Sequence, residues 1–409
     1  MFVSTDREKI KEILNSRYIE KVFPSKKALE KALLSGKRLR LYIGIDPTGP
    51  QLHLGHSTNF FLLKKFQKLG HEVIFLIGDF TARIGDPTGK LKARKALTEK
   101  EVKENCKSYK EQVKRIIDVD SKENPVRIVY NSSWLSKLTL EEVIKLAGKV
   151  TVGQMIKRDM FQRRIKEKRE IYLHEFLYPL LQGYDSVYLD TDIEVGGNDQ
   201  TFNMMIGRDL MKIYRNKEKF VITTKLLINP KTGKKLMSKS EGNYIALNDP
   251  PNEMYGKVMA LPDEVIIPCL KLATEVEDEK IKKFEKEMRE GKINPREVKA
   301  FLAFEIVKIY HGEKKAIEAE KEFERVFKEK RPPQKMPLFV APKSSYPLAE
   351  LLVNLKLCPS KSEAKRLIKQ GAVKIDGEVK TNWKEKIIIK KEGIVIKVGK
   401  RKFAKIVLS

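Results

Sequence analysis

The four residues that most constrain this chain are His53-Leu54-Gly55-His56, because of what surrounds them. A strand-like run, Arg40-Leu41-Tyr42-Ile43-Gly44-Ile45, comes first, and the turn Asp46-Pro47-Thr48-Gly49 follows it. An apolar-periodic helix then runs to Gly70. A strand that feeds a helix N-terminus through a Pro/Gly turn makes an anion site. The first helical N–H groups have no internal partner, and the helix dipole favours negative charge. Two imidazoles add donors aimed at the same region, and Gly55 lets a bulky ligand approach the backbone. A nucleoside triphosphate suits such a place. A lone His at a helix start is most often a cap or a surface residue. Here, however, two of the five histidines in the chain share one turn.

A second signal lies far downstream. Leu236-Met237-Ser238-Lys239-Ser240 sits between Gly233 and Gly242, with Lys234 and Lys235 just before it. A Lys on a Gly-bounded loop can close on a leaving phosphate and stabilise charge that develops only in the transition state. Taken alone, such loops are mostly solvated connectors. The two signals together, in this order, carry the weight.

Bulk properties narrow the class. At 409 residues the chain has room for two to four domains with real cores. No apolar run approaches the ~18 residues of a membrane span. Met1 to Glu12 is charged and polar, unlike a secretory or transit segment. Cys106, Cys269 and Cys358 lie far apart, which fits neither a disulfide framework nor zinc spacing. A reducing cytoplasm is expected, with no membrane partner and no dedicated protein metal site. The net charge is +28. That favours a polyanion partner, although a Lys-rich surface of a heat-tolerant protein is the plainer reading. The distribution helps: residues 331–409 carry 19 Lys/Arg against 6 Asp/Glu, so net +13 sits in less than a fifth of the chain.

From Leu41 to about Asp199 short apolar strands alternate with helices. Val73–Ile77 reads as a strand buried on both faces, and Arg127–Tyr130 as another. Thr98 with Glu101 and Thr139 with Glu142 are candidate capping boxes. The pattern predicts a doubly wound parallel-sheet α/β domain over 1–243, with its ligands at the carboxyl ends of the strands. An insertion at about 119–169 carries a basic amphipathic helix, Gln154–Lys168, with Arg158, Arg163, Arg164 and Lys166. A helical domain over 244–330 and a Pro-rich linker over 331–345 come next. The last module, 346–409, shows a short helix, Leu348–Leu355, and a second helix capped by Ser360 and Glu363. A hairpin turning at Asp376-Gly377 follows. Lys361, Lys365 and Lys369 form a stripe on the second helix, opposite Ala364, Leu367 and Ile368. A basic stripe is usually a solvated face. The order of elements, though, resembles the S-four-type RNA-binding fold.

The two distant signals together resemble the HIGH and KMSKS motifs of class I aminoacyl-tRNA synthetases. Leu54 replaces Ile in the first motif, and Leu236 stands where the second has its first Lys. The resemblance is closest to bacterial tyrosyl-tRNA synthetases and runs over nearly the whole chain. It rests further on Tyr42-x-Gly44-x-Asp46-Pro47-Thr48, Gly85 to Lys90, Tyr178-x-x-x-Gln182-x-x-Asp185 and Gly196 to Gln200. The resemblance implies a Rossmann-like catalytic domain, a helical anticodon-recognition domain and an RNA-binding tail. It also implies activation of tyrosine by ATP with Mg2+, transfer to tRNA(Tyr), and a homodimer. Tyr42 and Asp185 would grip the phenolic hydroxyl. Tyr178, Gln182 and Asp86, with Asn131, would hold the α-ammonium. Thr48, His53 and His56 would act on the phosphates, and Lys90, Arg94 and Lys239 would close over pyrophosphate. Gly44, Asp46, Gly55, Gly197, Asp199, Gln200, Met237 and Ser238 would line the ATP site. Arg163 and Arg164 would meet the acceptor stem, and the 361/365/369 stripe would meet RNA elsewhere. Spacing alone places Tyr178, Gln182 and Asp185 at i, i+4 and i+7, on one helix face. A tryptophanyl-type enzyme and a non-catalytic RNA-binding descendant are the alternatives.

Overall fold

The structure is a computed structural model that describes residues 3–90, 96–237, 244–327, 336–390, 392–399 and 402–408. It divides into two compact units, Met1–Ile317 and Glu318–Ser409, with the boundary inside the helix Glu313–Phe327.

The first unit is built on a six-stranded sheet. Its strands are β1 (Ile19–Phe23), β2 (Arg40–Ile45), β3 (Glu72–Ile77), β4 (Arg127–Tyr130), β5 (Ile193–Gly197) and β6 (Phe220–Thr224). They lie in the order β1-β6-β5-β2-β3-β4, and β1 is antiparallel to β6 while the other pairs are parallel. This is the doubly wound sheet that the alternation predicts. The chain runs β2 to β4 on one side and β5 to β6 on the other, so the topological switch falls between β2 and β5.

Register shows why a cavity opens there. β2 and β3 pair over six positions, from Arg40↔Glu72 to Ile45↔Ile77. β2 and β5 pair only at Leu41↔Ile193 and Tyr42↔Glu194. Beyond Tyr42 and Glu194 the two strands part, and their carboxyl ends line a space between them.

Helices start where local chemistry says they should. Thr98 and Thr139 each accept from the backbone N–H three residues on, and Glu101 and Glu142 return the bond. Thr151 and Gln154 form a third such box that the sequence reading did not mark. The expected helix over Gln154–Lys168 is two helices, Val152–Ile156 and Asp159–Lys166. Arg158 breaks them: its backbone is extended (φ −64°, ψ 134°) and its side chain is buried. Arg164 is buried as well, and both terminal nitrogens lie within 2.8 Å of Glu175. Removing one partner of such a pair costs about 3–5 kcal/mol. Arg164, expected to face RNA, is thus taken up by an ion pair that ties the insertion to the helix His174–Leu189, whereas Arg163 is exposed.

The segment expected to be helical carries Pro251–Met259, Ile266–Ala273, Asp278–Arg289 and Pro295–His311. Two of these open with Pro in the first turn, where its missing N–H has no use.

In the second unit, helices Leu348–Asn354 and Lys361–Lys369 pack on a five-stranded sheet. The strands described in this unit are β7 (Leu338–Ala341), β8 (Ser345–Pro347), β9 (Val373–Ile375), β10 (Glu378–Lys380), β11 (Lys386–Ile388), β12 (Ile394–Val398) and β13 (Lys402–Leu408). The sheet order is β10-β9-β12-β13-β7, and β8 pairs β11 separately. Asp376 and Gly377 both have positive φ, as the tight hairpin turn requires. Leu338–Ala341 corrects the linker reading: it is a strand parallel to β13. Flanking prolines hid a four-residue apolar run. Ser360 caps its helix as expected, but the Glu363 carboxylate turns to Arg366 instead of closing the box. Ala364 and Ile368 are buried, as the helix pattern predicts.

One buried group makes stability depend on pH. His71 is fully buried, its Nδ1 accepts from Leu39 N at 3.2 Å, and burial pushes its pKa from 6.5 down to about 4. The unfolded chain therefore takes up a proton between these values while the folded chain does not, so this contribution is lost as pH falls from about 6.5 toward 4. Between pH 7 and 5 it should amount to about 2 kcal/mol. His71→Gln should flatten this part of the profile in denaturant melts; an unchanged pH slope would show that His71 titrates normally.

Candidate active site

The parted ends of β2 and β5 open onto a cavity of about 630 Å³. One wall is the turn after β2. His53 caps the helix Leu54–Lys68, and its ring lies 3.9 Å from that of His56. His56 Nδ1 accepts from the His53 backbone N at 3.0 Å, which leaves Nε2 as the donor of the neutral ring. A Cβ on Gly55 would sit 3.1 Å from the His53 ring, a tight contact that would press the ring to shift. The chain after the Lys-rich loop returns to this same turn. Leu54 N donates to Ile245 O at 3.1 Å, and Leu247 N donates to Leu52 O at 2.9 Å.

The hairpin before that loop forms a second wall. Leu236 N bonds Leu227 O at 2.9 Å, and Lys235 Nζ reaches Asp199 Oδ2 at 2.5 Å. Lys234, Lys235 and Met237 all line the cavity. Lys90, from the Gly85–Lys90 turn, lines it too.

The third wall is acidic and amide-rich. The helix His174–Leu189 runs unbroken through Pro179 and turns Tyr178, Gln182 and Asp185 to the cavity, as their spacing requires. Asp185 receives Trp134 Nε1 on one oxygen at 2.9 Å and Asn131 Nδ2 on the other at 3.2 Å. Burial lifts its carboxyl well above the ordinary value, and these two donors oppose the shift. Tyr178 Oη donates to Asp46 Oδ2 at 2.8 Å, and Thr81 Oγ1 donates to the other oxygen at 2.7 Å. Burial, with Asp46 and Asp86 nearby, raises the Tyr178 phenol well above normal. Asp86 accepts from Thr88 N at 2.9 Å and from Gln200 Nε2 at 2.8 Å.

Such a pocket has acceptors at one end and imidazoles, lysines and a helix N-terminus at the other. It suits a ligand with a cationic head and a polyphosphate tail. Residues 34–328 match the family model "tRNA synthetases class I (W and Y)". The chain belongs to this family. Residues 327–406 match "Tyrosine--tRNA ligase SYY-like C-terminal domain". Tyrosine--tRNA ligase of Moorella thermoacetica is 46% identical over 92% of this chain and 90% of its own length. That of Thermotoga maritima is 44% identical over 98% of each chain. The crystal structure of a C-terminally truncated Aspergillus nidulans mitochondrial tyrosyl-tRNA synthetase superposes with a TM-score of 0.63 at 25% identity. It covers 78% of this chain and 94% of that one.

In this class I synthetase the cavity gathers most of the residues that the sequence marked. Thr48, His53, His56 and Lys90 line it, as do Gly44, Asp46, Gly55, Gly197, Asp199, Gln200 and Met237. Asp86, Tyr178, Gln182 and Asp185 complete the set. Arg94, Ser238 and Lys239 lie outside the described residues. Two expected ligand contacts stand behind the wall instead. Asn131 is fully buried and braces Asp185. Tyr42 is also buried, and its hydroxyl is 2.7 Å from Ser186 Oγ.

Sequence reading missed several supports. Arg158, read as part of a basic face, is buried over the Phe202 ring, and its Nη2 donates to Thr88 Oγ1 at 2.8 Å. Burial lowers its pKa to about 10. Asn203, Glu194 and Lys219 link the amides, and no spacing in the sequence signals them. Gly78 opens a segment, Gly78–Lys90, that was expected at the strand ends, but its own role was not read. A Cβ there would fall 2.1 Å from Asp46 Oδ1, so only Gly lets that carboxylate in. Gly78→Ala should destabilise the first unit by about 1–3 kcal/mol in denaturant melts. A stability equal to wild type would mean that the Asp46 carboxylate has room to move.

Proposed function

We propose that the protein activates tyrosine with ATP, giving tyrosyl-adenylate and pyrophosphate, and then transfers tyrosine to the 3′ end of tRNA(Tyr). The names of the relatives support this reading, and one observation carries the choice of amino acid. Asp185 is a buried carboxyl group that opens on the cavity with one protein donor on each oxygen. A ligand hydroxyl satisfies it in either protonation state, whereas a bare phenyl ring leaves it short of a partner. Tyr42 and Asn131 act from behind, by fixing Ser186 and Asp185.

At the other end of the amino acid, Tyr178 Oη, Gln182 Oε1 and Asp86 offer three acceptors to the three N–H bonds of an α-ammonium. Tyr178 accepts from the ammonium while it donates to Asp46. The substrate carboxylate is already a nucleophile, so no general base is needed for its attack on the α-phosphate. Rate comes from positioning and from charge stabilisation along an in-line phosphoryl transfer. His53, His56 and Thr48 meet the phosphates at the helix N-terminus, where unpaired N–H groups add to the field. Asp199 takes the ribose hydroxyls once Lys235 yields, and Gln200 lies beside the transferring centre. Lys90, Arg94 and Lys239 draw off pyrophosphate. Mg2+ travels with the ATP phosphates; among the described residues no group of three or more His, Cys, Asp or Glu stands ready to hold it.

The second unit binds RNA through Lys361, Lys365 and Lys369. Lys365 Nζ lies 4.0 Å over the Trp383 ring, so a stacking surface adjoins the basic helix. Arg163 is the candidate acceptor-stem contact. A homodimer forms through the insertion and the segment just after it, where Leu140, Ile144, Val152 and Leu173 are each more than 60% exposed, an unusual load of bare apolar surface. The cytoplasm is its compartment. Among the described residues no helix is long and apolar enough to cross a membrane.

ATP–pyrophosphate exchange with each of the twenty amino acids tests the whole reading. Tyrosine alone should support exchange; exchange with tryptophan alone would move the assignment to the other branch of the family. Asp185→Ala should raise the KM for tyrosine at least tenfold and erode selectivity over phenylalanine. Undiminished discrimination in that variant would remove Asp185 from the phenol site. Lys239→Ala should slow adenylate formation about 100-fold with tyrosine binding nearly intact, as expected for a contact made in the transition state. A wild-type single-turnover rate would refute the loop assignment.

A further inference from the structure

Glu194, one of the residues lining the cavity, belongs to a buried ion pair that the reaction itself does not use. Lys219 Nζ pairs with Glu194 Oε2 and donates to Ser186 Oγ at 2.8 Å; both charged side chains are at most 3% exposed. The pair has a built niche. A Cβ on Gly207 would fall 2.5 Å from Lys219 Nζ and 3.3 Å from Glu194 Oε2. Buried pairs add little stability over apolar residues of the same shape, so stability alone is a weak reason for this one.

Direction is a better reason. Glu194 Oε1 accepts from Gln182 Nε2 at 3.2 Å. A carboxylate only accepts, so the Gln182 amide must turn its NH2 inward. Its oxygen then takes Asn203 Nδ2 at 3.0 Å and keeps a lone pair for the cavity. Asn203 Nδ2 also donates to Gln200 Oε1 at 2.9 Å, so Gln200 turns its own NH2 to Asp86 at 2.8 Å. A chain of three amides therefore runs from one carboxylate to another, and each end demands the same orientation.

We infer that Glu194, anchored by Lys219, is a positioning residue that fixes the Gln182 amide with its oxygen toward the substrate ammonium and so sets how tightly tyrosine is held. This rests on the proposed role of Gln182. Lys219 makes the device sensitive. Burial pushes its pKa down while Glu194 opposes the shift. In Glu194→Gln, Lys219 is donor-only and must claim the new amide oxygen. The new NH2 then faces Gln182, whose oxygen turns inward, and an NH2 group meets the ammonium. Replacing Lys219 as well frees that amide to turn round again.

The test compares equilibrium binding of tyrosine with that of 3-(4-hydroxyphenyl)propionate, which is tyrosine without its amino group. Discrimination between tyrosine and phenylalanine is measured alongside as a check on the pocket. In E194Q the preference for tyrosine over the des-amino compound should fall about tenfold or more while phenol discrimination persists. The E194Q/K219M variant should recover most of that loss. An unchanged preference in E194Q overturns the inference. So does failure of the double variant to recover, which would assign the effect to the Glu194 charge itself or to damaged packing. Gln182→Met separates the underlying reading: if it leaves the preference for the amino group intact, Gln182 does not hold the ammonium at all.

Discussion

The separation of β2 from β5 after the pair Tyr42↔Glu194 is the constraint on which the site depends. A parallel sheet satisfies its backbone groups by continuing to pair, so strands that part must turn their ends to something else. Here they turn them to a cavity, and the elements that follow each strand supply its walls. The turn after β2 delivers Asp46, Thr48 and the two imidazoles. The turn after β5 delivers Asp199 and Gln200. Glycines at 196 and 197 keep the β5 edge thin; a Cβ on Gly197 would lie 2.6 Å from Asp199 Oδ1. The last paired residue of β5, Glu194, then lines its floor, with its β2 partner Tyr42 buried next to it.

That floor explains the stiffness of the acidic wall. Asp46, Asp86, Asp185 and Glu194 each accept at least two hydrogen bonds from named donors. Unsatisfied acceptors at this depth would each cost about 1–3 kcal/mol, so the arrangement is stable only as a connected whole. Connection also pre-orients the acceptors. Dipoles that are already aligned need not reorganise when a charge meets them, which is the condition under which such groups contribute most. At the far end the same logic works with opposite sign, through a helix N-terminus, two imidazoles and three lysines.

How much of this was legible depends on whether a role is set within one element or between elements. Tyr178, Gln182 and Asp185 were readable because helical period alone puts them on one face. His53 and His56 were readable because a turn of four residues confines them. The strand β3 was readable from its continuous apolar run, and β2 and β4 from short strand-like runs beside it. Glu194 and Lys219 were not, because only the β5–β6 pairing and the missing Cβ of Gly207 bring them together across 25 residues. Arg158 and Arg164 misled for a related reason. A basic residue on an amphipathic segment reads as solvated, and nothing local reports that Thr88 or Glu175 waits behind it. The Tyr42 hydroxyl meets Ser186, a neighbour that no spacing in the sequence reports.

The Lys-rich segment shows how the family pattern tolerates Leu236. Its backbone N–H is committed to Leu227 O, so position 236 serves the hairpin, and its side chain is only partly exposed. The cation just before it does the reaching: Lys235 already spans to Asp199 on the opposite wall. Met237 is buried beneath, with its sulfur accepting from Ile245 N at 3.4 Å. Tyr244 Oη is 2.5 Å from Gln51 Oε1. Both described ends of the segment are therefore tied to the turn that carries His53 and His56. Together with Leu54 N to Ile245 O and Leu247 N to Leu52 O, these ties join the two cation-bearing walls of the cavity by hydrogen bonds that the protein makes by itself.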